Sequence, residues 1–561
     1  MAMIFKEFCE EKWEQVRTHP YFEAYRKAVI EAAERDIVTE PPVVKFSMIH
    51  RYVVDGNREA FEKVHSEYFN RMHTYLSAYM ITGDEKYITP LGDIIWNICD
   101  FESWSIPAHV GEHLPINERR TNLDLCSTIA AHQISDVLKY VGDKLPELVV
   151  KRAKAEIRYR LIDSYAVAHH KKRYWWPTAK NNWSAVCIAS VLGTYINEAT
   201  PEEIDAQLPK MIESAKCYLD GFTDDGCCGE GYAYWNYGFS YFVIFAQLLR
   251  EYTDGKIDMF KDEKVARIAR FQESIPLNER ECVSFSDATI EFTPTTWLTH
   301  FLKGVYPDLR IPALEAWDCA SATPRQVLWQ CPELAVSSLN ATEPTSFSFP
   351  DAQWFIFRSA EYAFGCKAGH NQEQHNHNDV GSFLISKNNG VTFCDPGVGQ
   401  YTKQYFSPER YELMLCSSRG HSVPIINGKY QSTIGDIATI YAHEDDRYAF
   451  SMEKVYEDET LKSLSRDFVC EPDGVKLTDI YEFTETPTSV VERFVSLKGF
   501  ALEEGRLICD DTVMLFDPNL FEVSFGNETV ERKQGKTGVV YYADLTVKAP
   551  VKNMTFTFKF V

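Results

Sequence analysis

The chain has little positive charge for its size, and this lack excludes the simplest nucleic-acid-binding role. Its 561 residues include 58 Lys and Arg against 81 Asp and Glu, which gives a formal net charge of -23. Nonspecific binding to nucleic acid needs clustered basic residues that neutralise phosphates. We therefore expect no nucleic-acid partner. An anionic small substrate remains compatible, because a local basic pocket can exist in an acidic protein.

Long apolar runs are also missing. No stretch of about 18 consecutive apolar residues occurs, so we expect no membrane-spanning helix and no membrane partner. The first residues, MAMIFKEFCEEKWEQVRTHP, lack the apolar core of a signal peptide. The 15 cysteines contain no CxxC pair, which argues against a zinc ribbon or a thioredoxin site. Many free thiols without an export signal predict a cytoplasmic protein.

What is present predicts an α+β multidomain protein. Hydrophobic residues make up 45% of the chain, as in globular proteins. Apolar residues recur every three to four positions up to about residue 275, which predicts helices in a bundle, solenoid or toroid. After about residue 350, short β-branched and aromatic runs alternate with turns, which predicts an antiparallel β-sandwich. We predict a helical domain over 1–330, a linker rich in Pro, Ser and Thr over 331–350, and the sandwich over 351–561.

One short segment of the strand-rich half, HNHNDVGSFLISKNNGVTFCDPG, concentrates histidines and aspartates. Side chains two residues apart on a strand share a face, so His375, His377 and Asp379 are predicted to point the same way. Asp395, after the hairpin, can return to that face, and His421 in RGHSVPIING can complete the group. Two imidazoles and a carboxylate predict a divalent-metal site.

The helical half has a polar signature of its own in YWWPTAKNNW. Asn181 and Asn182 precede a predicted helix, and an ordinary N-cap explains one of them. Two asparagines beside Trp183 also indicate a polar pocket under aromatic walls.

About fifty residues later, the loop DGCCGEGYAYWNYGFSYF crowds tyrosines at the start of another helix. Tyr232, Tyr234, Tyr237 and Tyr241 are compatible with a core-facing aromatic stripe. The glycines before them also allow a tight loop that presents a tyrosine to solvent. The sequence leaves both interpretations open.

Three motifs together resemble those of the heparinase II/III-type polysaccharide lyases: the NNW helix start, the DGxxxEGxxYWxY loop, and HNHND–DPG–GHSVPIING. With the helix-then-strand order, the resemblance covers most of the chain. It implies an N-terminal (α/α) helical toroid followed by a C-terminal antiparallel β-sandwich. It also implies a lyase that cleaves uronic-acid glycans, most of all those of the glycosaminoglycan type.

The resemblance also implies roles for individual residues. Asn182, with Asn181, resembles the group that neutralises the uronate carboxylate. Tyr234 resembles the catalytic tyrosine, with Tyr237 in reserve, and His375 resembles the histidine that reaches the active site from the strand-rich domain.

The resemblance also implies metal ligands, and the chemistry of nearby residues suggests further metal-site and substrate contacts. His377, Asp395 and His421 resemble the ligands of a zinc ion, which we expect to be structural. Asp379 is expected to orient an imidazole. The groups expected to contact substrate are Asn181, Trp183, Tyr237 and Arg120, with Arg119 and Arg120 as a carboxylate or sulfate clamp or as a solvated helix start.

Such residues suit β-elimination from a uronate. The proton on C5 is weakly acidic, so a donor on the carboxylate must stabilise the charge that develops. A tyrosine titrates near 10 when unperturbed and must be activated to act as a base near neutral pH. The same tyrosine can then protonate the leaving O4, or His375 can take one of the two tasks.

Other functions remain open from the sequence. A glycoside hydrolase needs two carboxylates, for which Glu230 and Asp225 are candidates, although both lie in one loop. A non-enzymatic glycan-binding protein would not need the HNHND cluster. A metallo-oxygenase would use two histidines and Asp395 but leaves the helical half unexplained.

The sequence does not distinguish among uronate substrates, which range from glycosaminoglycans to alginate and bacterial exopolysaccharides. We expect exolytic action on imported oligosaccharides, and the oligomeric state stays open.

Overall fold

The structure, a computed structural model, describes residues 9–171, 174–311, 314, 316–317, 319–334, 344–373, 375–402, 404–434 and 436–561. The chain divides into two compact units. The helical unit comprises Met1–Gly221, Asn236–Val265 and Pro294–Ser337, and the sheet unit comprises Phe222–Trp235, Ala266–Thr293 and Ser338–Val561. This division does not follow the predicted boundaries at 330 and 350, because two segments from within the predicted helical domain group with the strands.

The α-helices of the described residues are α1 Glu10–Thr18, α2 Glu23–Ile37, α3 Phe46–Asp55, α4 Glu59–Thr82, α5 Ile88–Asp100, α6 Ile116–Arg120, α7 Leu125–Val141, α8 Glu147–Ile157, α9 Asp163–Lys171, α10 Asn182–Glu198, α11 Pro201–Leu219, α12 Tyr232–Tyr234, α13 Ser240–Tyr252, α14 Glu263–Ala269, α15 Phe271–Ser274, α16 Thr296–Val305 and α17 Pro324–Leu328. None of the helices that the structure describes has the length and apolar character of a membrane-spanning segment.

Helix α10 lies at the centre of the helical unit, where it packs against α7, α11 and α13. Small residues make this close packing possible. A Cβ atom at Gly193 would lie 2.0 Å from Nε2 of His132, so a larger residue would displace that imidazole. Asn181 caps α10 by accepting a hydrogen bond from the backbone N–H of Trp183 at 3.2 Å. The predicted helix after NNW is therefore confirmed.

The strands are β1 Thr345–Phe349, β2 Trp354–Arg358, β3 Ala363–Lys367, β4 Phe383–Lys387, β5 Gly390–Phe393, β6 Ile425–Ile426, β7 Thr439–His443, β8 Arg447–Ser451, β9 Leu461–Glu471, β10 Gly474–Phe483, β11 Val490–Ser496, β12 Ala501–Glu503, β13 Arg506–Cys509, β14 Thr512–Leu515, β15 Phe521–Arg532, β16 Lys536–Val547 and β17 Asn553–Phe560. They form three antiparallel sheets, with the orders β1-β2-β3-β4-β5, β12-β13-β14-β17-β10-β9-β8-β7 and β15-β16-β11-β6.

One apolar core joins the three sheets of the sheet unit. It includes Phe355 from the first sheet, Phe468 from the second and Phe494 from the third, all fully or almost fully buried. Strand β17 alternates exposed and buried residues along its length, which is the pattern of a strand with one face on a core. The predicted antiparallel strands of the C-terminal half are confirmed. Strand β1 lies inside the predicted 331–350 linker, of which 335–343 fall outside the described residues.

Candidate functional site

The histidine-rich segment is a loop that leads into β4, so the predicted strand over His375, His377 and Asp379 is wrong. Asparagines and the glycine at 381 favour irregular backbone over a sheet ladder. His375 adopts a φ of +54°, in the left-handed region that L-residues rarely occupy. Such strain persists only where surrounding contacts hold the residue, and it is typical of functional sites.

A carboxylate from another segment, Asp287, holds this loop. His375 Nδ1 lies 2.5 Å from Asp287 Oδ2, and His377 Nε2 lies 3.2 Å from Asp287 Oδ1. The hydroxyl of Tyr401 donates to Oδ2 at 3.1 Å, and the hydroxyl of Tyr405 donates to Oδ1. Asp287 itself is fully buried. Four side chains are therefore oriented by one acceptor.

The charge on Asp287 is stabilised in spite of its burial. Burial alone would raise the pKa of Asp287, but hydrogen bonds and charges from His375 and His377 outweigh it and keep the pKa below its usual range. The guanidinium of Arg410 approaches Asp287 Oδ1 to 3.5 Å. The centre therefore contains one buried anion surrounded by donors and by a cation.

Tyr234 joins this centre from the glycine-rich loop. Its hydroxyl lies 2.8 Å from the hydroxyl of Tyr401, and its ring centroid lies 4.3 Å from that of His375. Burial raises the pKa of Tyr234, and the nearby charge of Asp287 acts in the same direction. Tyr234 is therefore held as a neutral phenol beside an imidazole.

The backbone around Tyr234 explains why glycines precede it. Gly226 and Gly231 have φ values of +90° and +89°, which residues with a side chain rarely adopt. A Cβ atom at Gly231 would also lie 2.7 Å from the Cβ of Ala288, so the loop can approach the neighbour of Asp287 only without a side chain. A π-helical turn over Trp235–Phe239 follows directly after Tyr234. Such turns are frequent at functional sites.

A second cluster lies on the other side of His377. His377, Asp395 and His421 each offer a ligand atom, and these atoms lie within 4.8 Å of one another. All three side chains are fully buried. Their atoms His377 Nδ1, Asp395 Oδ2 and His421 Nδ1 make no hydrogen bond. The predicted triad is thus brought together as a possible metal-binding site.

The hydrogen bonds around the triad favour a cation at its centre. His421 Nε2 lies 3.1 Å from the carbonyl oxygen of Leu415, to which it donates, and His377 Nε2 faces Asp287. Each imidazole then places its Nδ1 in the cluster, next to the carboxylate, where this nitrogen can offer a lone pair to a cation. His421 Nδ1 and Asp395 Oδ2 are 3.0 Å apart without hydrogen-bond alignment. This separation is close to the roughly 3.3 Å between two ligands of one tetrahedral zinc ion.

Asp379 does not orient an imidazole, contrary to the sequence-based expectation. Its Oδ1 accepts a hydrogen bond from Lys367 Nζ at 2.9 Å, and both side chains are fully buried. The same ammonium lies 3.1 Å from Glu373. Lys367 therefore ties down both ends of the loop that carries His375 and His377.

The remaining predicted site residues belong to the helical unit. Asn181 is the N-cap of α10, and Asn182, its first residue, is 8% exposed. The ring of Trp183 lies 4.6 Å from that of His109 and 4.9 Å from that of Trp175, between centroids. Trp183 therefore belongs to an aromatic cluster beside the asparagines.

Tyr237 and the two arginines have defined partners in this unit. The ring of Tyr237 packs edge-on against that of Tyr241 at 5.7 Å, and burial raises its pKa. Arg120 Nη2 donates to both carboxylate oxygens of Glu156, at 3.1 and 3.0 Å. Arg119 is buried and bonds Glu102 at 2.9 and 3.1 Å. A substrate anion would have to displace these carboxylates from either guanidinium.

The carboxylate pair considered for hydrolysis is not available as a pair. Asp225 accepts hydrogen bonds from the backbone N–H groups of Cys227 and Asp351, at 3.0 and 2.7 Å, and so acts as a turn-forming residue. Glu230 is half-buried, and burial raises its pKa. Glu230 alone retains the features of a general acid.

Sequence reasoning missed Asp287, Tyr401, Tyr405 and Arg410. Asp287 lies in VSFSDATIEF, which has no motif and no neighbouring histidine in the sequence. Tyr401, Tyr405 and Arg410 lie in GQYTKQYFSPERYE, between the two histidine motifs. Tyr401, Tyr405 and Arg410 could have been found because their polar, aromatic stretch lies between two predicted metal-ligand segments.

Comparison with known protein families gives a match for the C-terminal part of the chain. Residues 341–497 match the family described as heparinase II/III-like, C-terminal. The predicted resemblance to heparinase II/III-type proteins is confirmed for this region. No curated protein matches the chain by sequence.

Solved structures share the fold over almost the whole chain at low identity. A heparinase III has 12% identity and a TM-score of 0.64, with coverage of 100% of this chain and 92% of that one. A heparan sulfate lyase from Pedobacter heparinus has 12% identity and a TM-score of 0.59, covering 98% and 90%. A chondroitin AC lyase of Streptomyces coelicolor, in complex with chondroitin sulphate, has 9% identity and a TM-score of 0.57, covering 98% and 82%. The chain therefore has the fold of these proteins.

Proposed function

We propose that this protein is a polysaccharide lyase that cleaves uronic-acid glycans, of the glycosaminoglycan type, by β-elimination. The observation that carries the proposal is the centre built on Asp287, which holds a neutral phenol and a histidine side by side. The heparinase II/III-like match of residues 341–497 supports the same reaction class. The substrate is an anionic oligosaccharide or polysaccharide. We also propose that the helices form an (α/α) toroid and the sheets a β-sandwich.

We assign the base role to His375 and the acid role to Tyr234. His375 Nδ1 is engaged by Asp287, so Nε2 is the nitrogen left to take the C5 proton of the uronate. Tyr234, whose pKa is raised by burial, keeps its proton near neutral pH and can give it to O4 as the C4–O4 bond breaks. A C4–C5 double bond then forms in the uronate, which becomes the nonreducing terminal sugar of one product, and O4 leaves with the other product as its new reducing end.

The developing charge needs a donor on the uronate carboxylate. We retain Asn182 for this task on the ground of the family resemblance, with Asn181, Trp183, Tyr237 and Arg120 as substrate contacts. Arg410, whose guanidinium lies 3.5 Å from Asp287 Oδ1, adds a fixed positive charge at the Asp287 centre. Fixed charges and dipoles of this kind stabilise a transition state without reorganisation.

A zinc ion is proposed as a structural cofactor held by His377, Asp395 and His421. The unpaired buried nitrogen and oxygen atoms of the three residues fit it. Such an ion would neutralise these atoms and fix the loops that carry them. Because all three ligands are fully buried, the ion is not expected to meet substrate, which also argues against the metallo-oxygenase alternative.

An ultraviolet-absorbance screen tests the reaction. The purified protein is incubated with heparan sulfate, chondroitin sulfate, hyaluronan, alginate and glucuronan oligosaccharides, with Tyr234→Phe as the matched inactive control. We expect absorbance to rise as a conjugated unsaturated uronate forms with at least one substrate. If new reducing ends appeared without a rise in absorbance, the reaction would be hydrolysis and not elimination. Glu230 would then be assigned the role of the acid.

A further inference from the structure

Two side chains outside the Asp287 centre flank the ring of Tyr401. Phe406 packs edge-on against this ring, with centroids 4.9 Å apart, and 60% of Phe406 is exposed. Lys533 Nζ lies over the ring of Tyr401, 5.5 Å from its centroid. The hydroxyl of Tyr401 meanwhile contacts Tyr234 at 2.8 Å. An exposed aromatic ring and an ammonium group are thus placed next to the residue that supports the phenol of Tyr234.

Several surface lysines of the sheet unit are neutralised by carboxylates, unlike Lys533. Lys462, Lys498 and Lys559 pair with carboxylates at 2.5, 2.6 and 3.0 Å. Lys533 is exposed, and no carboxylate among the described residues forms an ion pair with it. In a chain with a net charge of -23, an unpaired ammonium beside the candidate site is the feature expected of an anion subsite.

The backbone fixes this lysine near Tyr401. Lys533 lies in the connection between β15 and β16, and the neighbouring loop is hydrogen-bonded to that connection. Gln400 N donates to the carbonyl of Glu531 at 3.0 Å, and Gly535 N donates to Oε1 of Gln400 at 2.9 Å. The hairpin tip and the Tyr401 loop are therefore held together by hydrogen bonds on both sides of Lys533.

We propose that Phe406 and Lys533 form a subsite for the sugar adjacent to the cleaved uronate, in which the ring stacks on Phe406 and its anionic group binds Lys533. The inference rests on the proposed function and extends it to a specificity-determining pair. Aromatic rings offer a rigid apolar surface to sugars, and a lysine recognises sulfate or carboxylate as a point charge. The preferred substrate is then anionic on two neighbouring sugars.

The test measures binding separately from turnover. Dissociation constants of a chondroitin sulfate tetrasaccharide, its desulfated form and a hyaluronan tetrasaccharide are measured by calorimetry on the full chain carrying Tyr234→Phe. The same measurement is made after adding Lys533→Gln, Phe406→Ala or Lys536→Gln. Lys536 lies in the same hairpin and is exposed, and the cation–π contact with Tyr401 is made by Lys533, so the Lys536 variant is the matched control. KM and kcat of the single variants are determined with the active enzyme.

We expect Lys533→Gln to weaken binding and raise KM about fivefold, with kcat unchanged and with a reduced salt dependence. If Lys533→Gln weakens binding of the sulfated tetrasaccharide but not of its desulfated form, Lys533 binds the sulfate. If binding of both forms is weakened, Lys533 binds the carboxylate. Phe406→Ala should weaken all three ligands. Equal dissociation constants for Lys533→Gln and Lys536→Gln would overturn the subsite. Weakened binding in a protein without elimination activity would keep the subsite and reject the lyase.

Discussion

Asp287 contacts both the pair His375 and Tyr401 near Tyr234 and the candidate metal ligand His377. Its Oδ2 accepts from His375 and Tyr401, which lie beside Tyr234, and its Oδ1 accepts from Tyr405 and faces His377 of the metal triad. A carboxylate that orients an imidazole fixes both its tautomer and its direction. One residue therefore contacts both the proposed base and one of the candidate metal ligands.

Replacing this carboxylate by an amide tests its role. Asp287→Asn keeps the shape but presents an NH₂ group to donors, so His375 loses its fixed orientation. We expect kcat to fall about 100- to 10,000-fold and metal affinity to fall about 10- to 100-fold. Steady-state kinetics and metal titration check both. A variant with unchanged kcat would remove Asp287 from the mechanism.

The phenol of Tyr234 is tested by removing only its oxygen. Tyr234→Phe should lower kcat about 100- to 10,000-fold, because it removes the hydroxyl that we propose as the proton donor to O4. The dissociation constant for substrate and the melting temperature should change little, since the ring still packs against His375. Tyr237→Phe is the comparison. If Tyr237→Phe lost activity and Tyr234→Phe retained it, Tyr237 and not Tyr234 would be the proton donor.

The sequence identifies the residues of the site that lie in motifs and misses those that do not. His375, His377 and Asp395 are found because they cluster along the chain, and His421 because a histidine motif follows. Asp287 is 88 residues from His375 in sequence and meets it only through folding. No local pattern carries that contact, and a single buried aspartate between Ser286 and Ala288 resembles many structural residues.

At the level of elements, buried cations hold the loops that carry the site. Lys367 on β3 pairs with Glu373 and Asp379, which flank the two histidines. Arg466 on β9 donates from Nη1 to the carbonyl oxygens of Gly381 and Ser422, each at 2.8 Å. Ser422 is next to His421, so this guanidinium joins the loop before β4 to the segment that carries His421. Irregular loops thereby gain the rigidity of the sheets beneath them.

Metal removal should act on the same loops. Treatment with a chelator, or His421→Ala, is expected to lower the melting temperature, because the buried atoms of His377 and Asp395 are left without a partner. Elemental analysis and thermal unfolding measure the two effects. His443→Ala, at an exposed position on β7, is the matched control. Equal metal content in His421→Ala and the unmodified protein would exclude the triad as ligands.

The elements that the sequence predicts best are those with clear periodicity. Helices α2, α4, α10 and α11 and strands β9, β10 and β17 follow their patterns closely. Strand β1 was missed because its Ser and Thr residues resemble a linker. Strand β12 has three exposed residues, so it carries no apolar signal. Pairing with neighbouring strands, rather than local sequence, determines such elements.

On the scale of the whole molecule, buried neutral histidines make the stability of the helical unit depend on pH. Burial lowers the pKa of His65, His73 and His300 to about 4. These groups take up protons on unfolding below their ordinary value of 6.5, so the unfolded state binds more protons and the free energy of unfolding falls as pH drops towards 4. The loss is of the order of 3 kcal/mol for each histidine.

Urea unfolding at a series of pH values between 7 and about 4.5 measures this dependence. His73→Leu should make the free energy of unfolding less dependent on pH. His113→Leu, at an exposed position of the same unit, should leave the dependence unchanged. The same slope in both variants would contradict the assignment of the acid sensitivity to buried histidines.

The sheet unit is assembled from three separate stretches of chain, so it cannot be obtained as one continuous fragment. A fragment that begins at residue 341, where the heparinase II/III-like match starts, would contain the histidine loop and the metal triad. It would lack Tyr234 and Asp287, which arrive on Phe222–Trp235 and Ala266–Thr293. Recombination, truncation or domain transplantation at this apparent boundary would therefore yield a piece whose His375 has lost its acceptor. The proposed activity therefore needs the long chain, and the C-terminal part that matches the family is not sufficient for it.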